Sequence, residues 1–215
     1  MLTKSRLAIV LSRMQGFDKP NPGLEQYQTD AEVAASVLWN AFMQGDIKGK
    51  IVADLGSGTG ILGLGALALG ARFVFFVEVD EAALRLAKHN YEAIASEGEP
   101  HFFKGDVASF DQHVEVVIQN PPFGVQQSHA DRVFLEKAFE IADVVYSLHK
   151  LESKGFVESF AAEHGFKVTH VWHYSFPLKQ TMGFHTHRIT RIRVGCWRLE
   201  NKKLCEQLSN VQSID

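Results

Sequence analysis

The sequence predicts a single α/β domain: a mostly parallel seven-stranded sheet with helices on both faces and an antiparallel hairpin at one edge. Three observations predict it. Short apolar runs bounded by glycine or acidic residues alternate with longer segments of helical period, the pattern of parallel strands joined by crossover helices. The 215 residues, 46% hydrophobic, supply enough apolar mass for one sizeable core. Two long β-rich segments close the pattern with no helix between them, which gives a sheet an antiparallel edge.

In chain order, Leu7, Val10, Leu11 and Met14 recur at helical spacing, and Gly16, Pro20 and Pro22 lead that helix into a loop ending at "LEQYQT". Residues 1–28 therefore read as a helix and arm preceding the main domain, 29–200, with a polar tail at 201–215. The domain begins with the helix "DAEVAASVLWNAFMQ" and the strand "KIVADLG", apolar enough to be buried on both faces. There follow a helix from Ile61 to Leu69, the strand "RFVFFVEVD", the helix "EAALRLAKHNYEAI", and the strands "PHFFKGD" and "VEVVIQ" with no clear helix between the last two. A helix over Val133 to Ile141, the strand "VVYSLHK", the helix "ESKGFVESFAAEH" and the strands "KVTHVWHYSF" and "RITRIRVGCWRL" complete the order.

A net charge of −3 excludes a generally basic coat, so a polyanion would have to meet a local patch. Two cysteines, Cys196 and Cys205, make no disulfide framework and suit a reducing, cytoplasmic compartment. Lys4, Arg6 and Arg13 interrupt the apolar positions at the start, so no signal peptide or membrane span is expected.

In "DLGSGTG", Asp54, Gly56, Gly58 and Gly60 mark a sharp strand-to-helix turn where a ligand can approach the backbone. Gly58 to Gly63 also fits the dinucleotide pattern G-x-G-x-x-G, so the glycines leave a nicotinamide-dependent oxidoreductase open. Asp54 favours a ligand with a cationic headgroup, such as S-adenosyl-L-methionine, over a pyrophosphate that it would repel. Glu78, ending the second strand, can accept from a ribose diol, and Asp106 with Val107, ending the third, can frame an adenine ring. Asp80 reads better as a helix cap.

In "QNPPFG", Pro121 and Pro122 donate no backbone hydrogen bond and hold the turn extended, so carbonyls point outward. With the Asn120 side-chain carbonyl they offer two acceptors to an amino group, and Phe123 offers a flat face for a planar substrate. An exocyclic or amide nitrogen is a poor nucleophile, and two acceptors holding its hydrogens localise the lone pair toward a sulfonium methyl. The plainer alternative is a Pro-Pro strand terminator beside a core phenylalanine.

Together these motifs resemble the Rossmann-like class I S-adenosylmethionine-dependent methyltransferases. Among those with NPP[FY], "GFDKP", "LEQYQT", "VADLGSGTGIL", "VEVDEAAL", "QNPPFG", "VYSLHK" and "GFH" resemble the methyltransferase-like protein 5 family over nearly the whole chain to about Glu200. The resemblance implies methylation at N6 of an adenosine in small-subunit ribosomal RNA. It also implies that Gln26 and Thr29 cover the cofactor, with Gly56, Thr59, Ile61, Glu78, Asp106 and Val107 around it, and that Asn120 to Phe123 hold the base. Gln28 stands where that family usually has proline, and Glu78 where it usually has aspartate. Eukaryotic members of the family work with a small zinc-binding activator protein; if this chain has one, it should pair with the sheet edge that the late strands leave open.

Lys150, Lys154, His185, His187, Arg188, Arg191 and Arg193 form the one basic concentration and are candidate contacts to RNA phosphates, against the alternative of a solvated face. His185 and His187 have no cysteine or third ligand near them in sequence, so no metal site is expected. The same turn can serve guanine N2, a DNA base or a glutamine amide, and a non-catalytic RNA-binding module would keep the same fold.

Overall fold

The structure, a computed structural model, describes residues 2–17, 20–21, 23, 25–94, 96–123, 130–179 and 189–202. Its strands are β1 (Ile51–Leu55), β2 (Phe73–Glu78), β3 (Glu99–Lys104), β4 (Val114–Gln119), β5 (Ala142–Lys150), β6 (Phe166–Lys179) and β7 (Ile189–Asn201). Its helices are α1 (Lys4–Ser12), α2 (Ala31–Met43), α3 (Ile61–Ala68), α4 (Glu81–Glu92), α5 (Ala130–Ile141) and α6 (Lys154–Glu163). Among the described residues these strands form one seven-stranded sheet in the order β3-β2-β1-β4-β5-β7-β6. Strands β1 to β5 pair in parallel, and β7 pairs antiparallel with both β5 and β6.

Alternation along each strand divides the core. Val52, Val74, Phe76, Val116, Ile118 and Tyr146 face α1, α2 and α3, whose Leu7, Leu11, Leu38 and Leu64 are fully buried. Ala53, Leu55, Val77, Val117, Val145 and Trp197 face α5 and α6, which contribute Leu135, Phe139, Val157 and Phe160. At the foot of the sheet Asp46 accepts from Tyr146 Oη at 2.6 Å and from Arg198 Nε at 2.8 Å, so the buried charge is paired and fully hydrogen-bonded.

Two expectations are refined. Only a 3-10 turn, Val107–Ser109, lies between β3 and β4. The helix expected from Glu152 starts at Lys154, because Leu151–Ser153 forms a separate 3-10 turn.

The chain runs β1 to β2 to β3 in one direction, then returns to place β4 on the other side of β1. That reversal opens a crevice at the carboxyl ends of β1 and β4, where ligands of open α/β sheets bind. The register puts Leu55 beside both Val77 and Gln119, so the glycine loop, the end of β2 and the NPPF turn meet there.

Candidate active site

After Leu55 the backbone takes positive φ at Gly56 (67°), Gly58 (53°) and Gly60 (85°), which explains three glycines in five residues. The loop is pinned to β2, since Gly56 N and Ser57 N both donate to Val77 O, at 2.9 and 3.0 Å. Asp54 Oδ2 accepts from Gly63 N in the first turn of α3 at 2.7 Å, satisfying an amide that the helix leaves without a partner. Only 1% of Asp54 is exposed, and burial pushes its carboxyl up to about 7 despite that bond, with Glu78 adding to the rise. A pyrophosphate on this helix end would meet that carboxyl, so the dinucleotide reading loses its binding site.

Glu78 spans the loop. Its Oε2 accepts from Gly58 N at 2.7 Å and its Oε1 from Asp80 N at 2.9 Å, and desolvation raises its pKa against those bonds. Each oxygen keeps a second lone pair for a diol. Asp80 caps α4 through Ala82 N at 2.8 Å, as its sequence position implies, and Asp106 caps the 3-10 turn through Ala108 N at 2.8 Å.

A cavity of about 260 Å³ is lined by Gln26, Gly56, Glu78, Asp106, Val107, Asn120 and Pro122 among others. A smaller one of about 40 Å³ lies under Thr29, Asp54, Gly56, Thr59, Ile61 and Asn120. Gly56 and Asn120 line both, and all the expected cofactor residues except Gly58 and Gly60, which shape the loop, are lining residues. Sequence reasoning passed over Phe134, whose ring lies where a Cβ on Gly56 would be, 2.7 Å from Cε1, and Phe17, which covers Gly58. It also passed over Val79 and Val133, apolar residues 50% and 45% exposed on the wall of the larger cavity. An isolated valine directly after β2 and another opening α5 were the available signals.

The arm closes over these cavities. Gln26 Nε2 donates to Asp80 Oδ2 at 2.7 Å, and Asn90 ties the arm to the loop by accepting from Gln15 N at 2.8 Å and donating to Thr59 O at 3.0 Å. At the NPPF turn Asn120 Nδ2 donates to Thr29 Oγ1 at 3.0 Å, which turns the amide oxygen toward Tyr27. Behind it, Gln119 Nε2 donates to Ser147 Oγ at 3.0 Å, which is 2.6 Å from His149 Nε2.

Of the basic residues, Lys150 approaches this turn, with Nζ 5.7 Å from the centre of the Phe123 ring. Lys154 is exposed in the first turn of α6, 4.0 Å from Glu158, and lines neither cavity. Arg191 and Arg193 are exposed on β7, and His185, His187 and Arg188 lie outside the described residues.

The donor set fits S-adenosylmethionine. Ser57 Oγ is buried with no hydrogen-bond partner where it lines the small cavity beside Asp54, a place for a ligand carboxylate and ammonium. Glu78 and the apolar walls of the larger cavity suit a nucleoside.

The methyltransferase small domain family matches residues 28–168. The chain is 31% identical to the rRNA N(6)-adenosine-methyltransferase Mettl5 of Drosophila melanogaster, covering 91% of this chain and 95% of that protein. With the zebrafish (Danio rerio) counterpart it shares 32% identity over 86% of this chain and 92% of the other. A crystal structure of a candidate RNA methyltransferase from Pyrococcus horikoshii, 47% identical, superposes with a TM-score of 0.87 over 94% of this chain and 98% of its own. The chain is thus an S-adenosylmethionine-dependent methyltransferase and belongs to the methyltransferase small domain family and, within it, to the methyltransferase-like protein 5 family.

Proposed function

We propose that the protein methylates an exocyclic amino nitrogen, N6 of an adenosine in small-subunit ribosomal RNA. One observation carries the reading: beside the cofactor cavity, Asn120 Oδ1 and the Pro121 carbonyl converge on a single donor, at 3.5 and 3.2 Å, with the Phe123 face alongside. Two acceptors and a stacking plane suit an amino group on a flat ring. The substrate class agrees with the names of the Drosophila and zebrafish relatives.

When bound, S-adenosylmethionine supplies an electrophilic methyl on a sulfonium sulfur. Asn120 and the Pro121 carbonyl accept from the two amino hydrogens and draw the nitrogen lone pair out of conjugation. Phe123 fixes the ring plane, so that this lone pair points toward the cofactor cavity. Transfer of that methyl would leave the nitrogen with a surplus proton, which would pass to water. Asn120 has no basic group, so its contribution is positional and electrostatic.

RNA phosphates would meet Lys150 at the mouth of the site. A zinc-binding activator, as implied by the family resemblance, would add to the open edge at β3, the sheet's other margin being β6.

The test is transfer of labelled methyl to total RNA from cells lacking the protein, followed by nucleoside mass spectrometry. N6-methyladenosine is expected. Label appearing only in N2-methylguanosine or in protein would replace the acceptor, and full activity in Asn120→Ala would remove the mechanism. Loss of one such positioning group is expected to cost roughly a hundredfold in rate.

A further inference from the structure

The donor that meets the two acceptors belongs to the chain itself. Tyr27 Oη lies 3.2 Å from Pro121 O and 3.5 Å from Asn120 Oδ1, distances typical of one shared proton rather than of two full hydrogen bonds. Its ring is stacked on Phe123, with centroids 5.1 Å apart and planes at 21°, and Phe176 of β6 meets it edge-on at 5.8 Å. Each feature that the turn offers a planar amino-bearing substrate is therefore engaged by this side chain. The phenol hydroxyl stands for the amino group and the phenol ring for the base.

From this we infer that Tyr27 occupies the target-base site and competes with the base for it, so that a nucleotide binds only when the arm withdraws the ring. The inference rests on the amino-acceptor reading above. It adds that the site holds any flat ring carrying one suitably placed donor, and that Tyr27 belongs to the substrate site rather than to the cofactor cover alone.

The geometry distinguishes a competitor from a wall. A wall residue would stack on a base held by Phe123 and leave Asn120 and Pro121 free, whereas the Tyr27 hydroxyl is directed at both. Its ring stacks on Phe123 while its hydroxyl meets the Asn120 amide oxygen. One proton shared between two acceptors at these distances is also weakly held, which suits an occupant that has to leave.

The test uses the full chain saturated with S-adenosylhomocysteine and measures adenosine binding by calorimetry. Tyr27→Phe keeps the ring but removes the proton shared by the two acceptors, and the dissociation constant for adenosine is expected to fall roughly fivefold, the scale of one modest hydrogen bond. In Tyr27→Ala, phenol fills the space left by the side chain and should displace adenosine competitively; it should not bind the unaltered protein. Weaker or unchanged adenosine binding in Tyr27→Phe, or simultaneous binding of adenosine and phenol in Tyr27→Ala, would overturn the inference. Methyl transfer to RNA by the unaltered protein, run in parallel, tests the acceptor reading alone, because its failure leaves the competition between the two rings measurable.

Discussion

The amide of Gln26, a residue lining the larger cavity, donates to Asp80 Oδ2 at 2.7 Å, joining the N-terminal arm to the capping residue of α4. This bond is the largest influence holding the Asp80 carboxyl below the usual range. A hydrogen bond to a charged group contributes about 1.5–3 kcal/mol, less when water reaches it as it does here. Gln26→Ala should therefore weaken S-adenosylhomocysteine binding roughly fivefold, with little change in thermal midpoint. Calorimetric titration against a thermal melt separates the two effects.

If Asp54 meets the cofactor ammonium, cofactor affinity should depend on pH. In the free protein its carboxyl titrates near 7, well above its ordinary range, so at pH 6 it is mostly protonated. A ligand ammonium favours the carboxylate, so binding below pH 7 must first expel a proton. Affinity should rise from pH 6 to about 7.5 and then level off, with up to one proton released per ligand bound. Asp54→Asn should flatten that dependence. Calorimetry in buffers of different ionisation enthalpy counts the protons.

The same shift has a stability counterpart of opposite sense. The folded pKa exceeds the unfolded one, so the folded state holds the extra proton between about pH 4 and 7. Stability from this group is therefore present at low pH and lost as pH rises through 7, and Asp54→Asn should melt less steeply with rising pH than the unaltered protein.

Lys150 Nζ lies 5.7 Å from the centre of the Phe123 ring. If it neutralises one phosphate, Lys150→Ala should weaken RNA binding and reduce the slope of log affinity against log salt by about one. Lys154→Ala, changing a residue paired with Glu158 outside both cavities, should shift the slope less. Filter binding across a salt series gives both slopes.

Behind the NPPF turn, Ser147 joins Gln119 to His149, and desolvation pushes the His149 ring down to about 3, so it is neutral at physiological pH. Ser147→Ala leaves the buried Gln119 amide without its partner and should cost about 1–3 kcal/mol in chemical denaturation. A histidine with a depressed folded pKa gives stability that is present above its unfolded pKa, near 6.5, and lost as pH falls toward 3. Melting between pH 7 and 4 should show that loss.

What could be read from the sequence was whatever the backbone dictates locally. Three glycines needing positive φ after an apolar strand announce Gly56, Gly58 and Gly60, and paired prolines announce the turn at Asn120, because both depend on conformations few other residues adopt. The alternation of strands and helices likewise follows from periodicity. Contacts made by tertiary register were not legible. Tyr27 reaches Asn120 across 93 positions of chain, and nothing near either residue signals that the ring will lie on Phe123. Glu78 was read as a diol acceptor, but its extra methylene also lets it reach Gly58 N, a consequence of side-chain length that only the folded loop reveals. Phe134 against Gly56 and the Gln119–Ser147–His149 chain are hidden for the same reason.

The place of β7 has a consequence for synthesis. Among the described residues it is the strand latest in the chain, yet it lies between β5 and β6, so β6 has no neighbour in the sheet until β7 is made. A nascent chain that has emerged only through residue 179 has β5 exposed along its length and Asp46 waiting for Arg198. A stop codon in that interval would yield an unfinished sheet with a long apolar edge rather than a shorter enzyme, and such edges template aggregation. Attachment of β6 to the sheet is thus deferred until β7 is made, and quality control during translation has that late event to monitor.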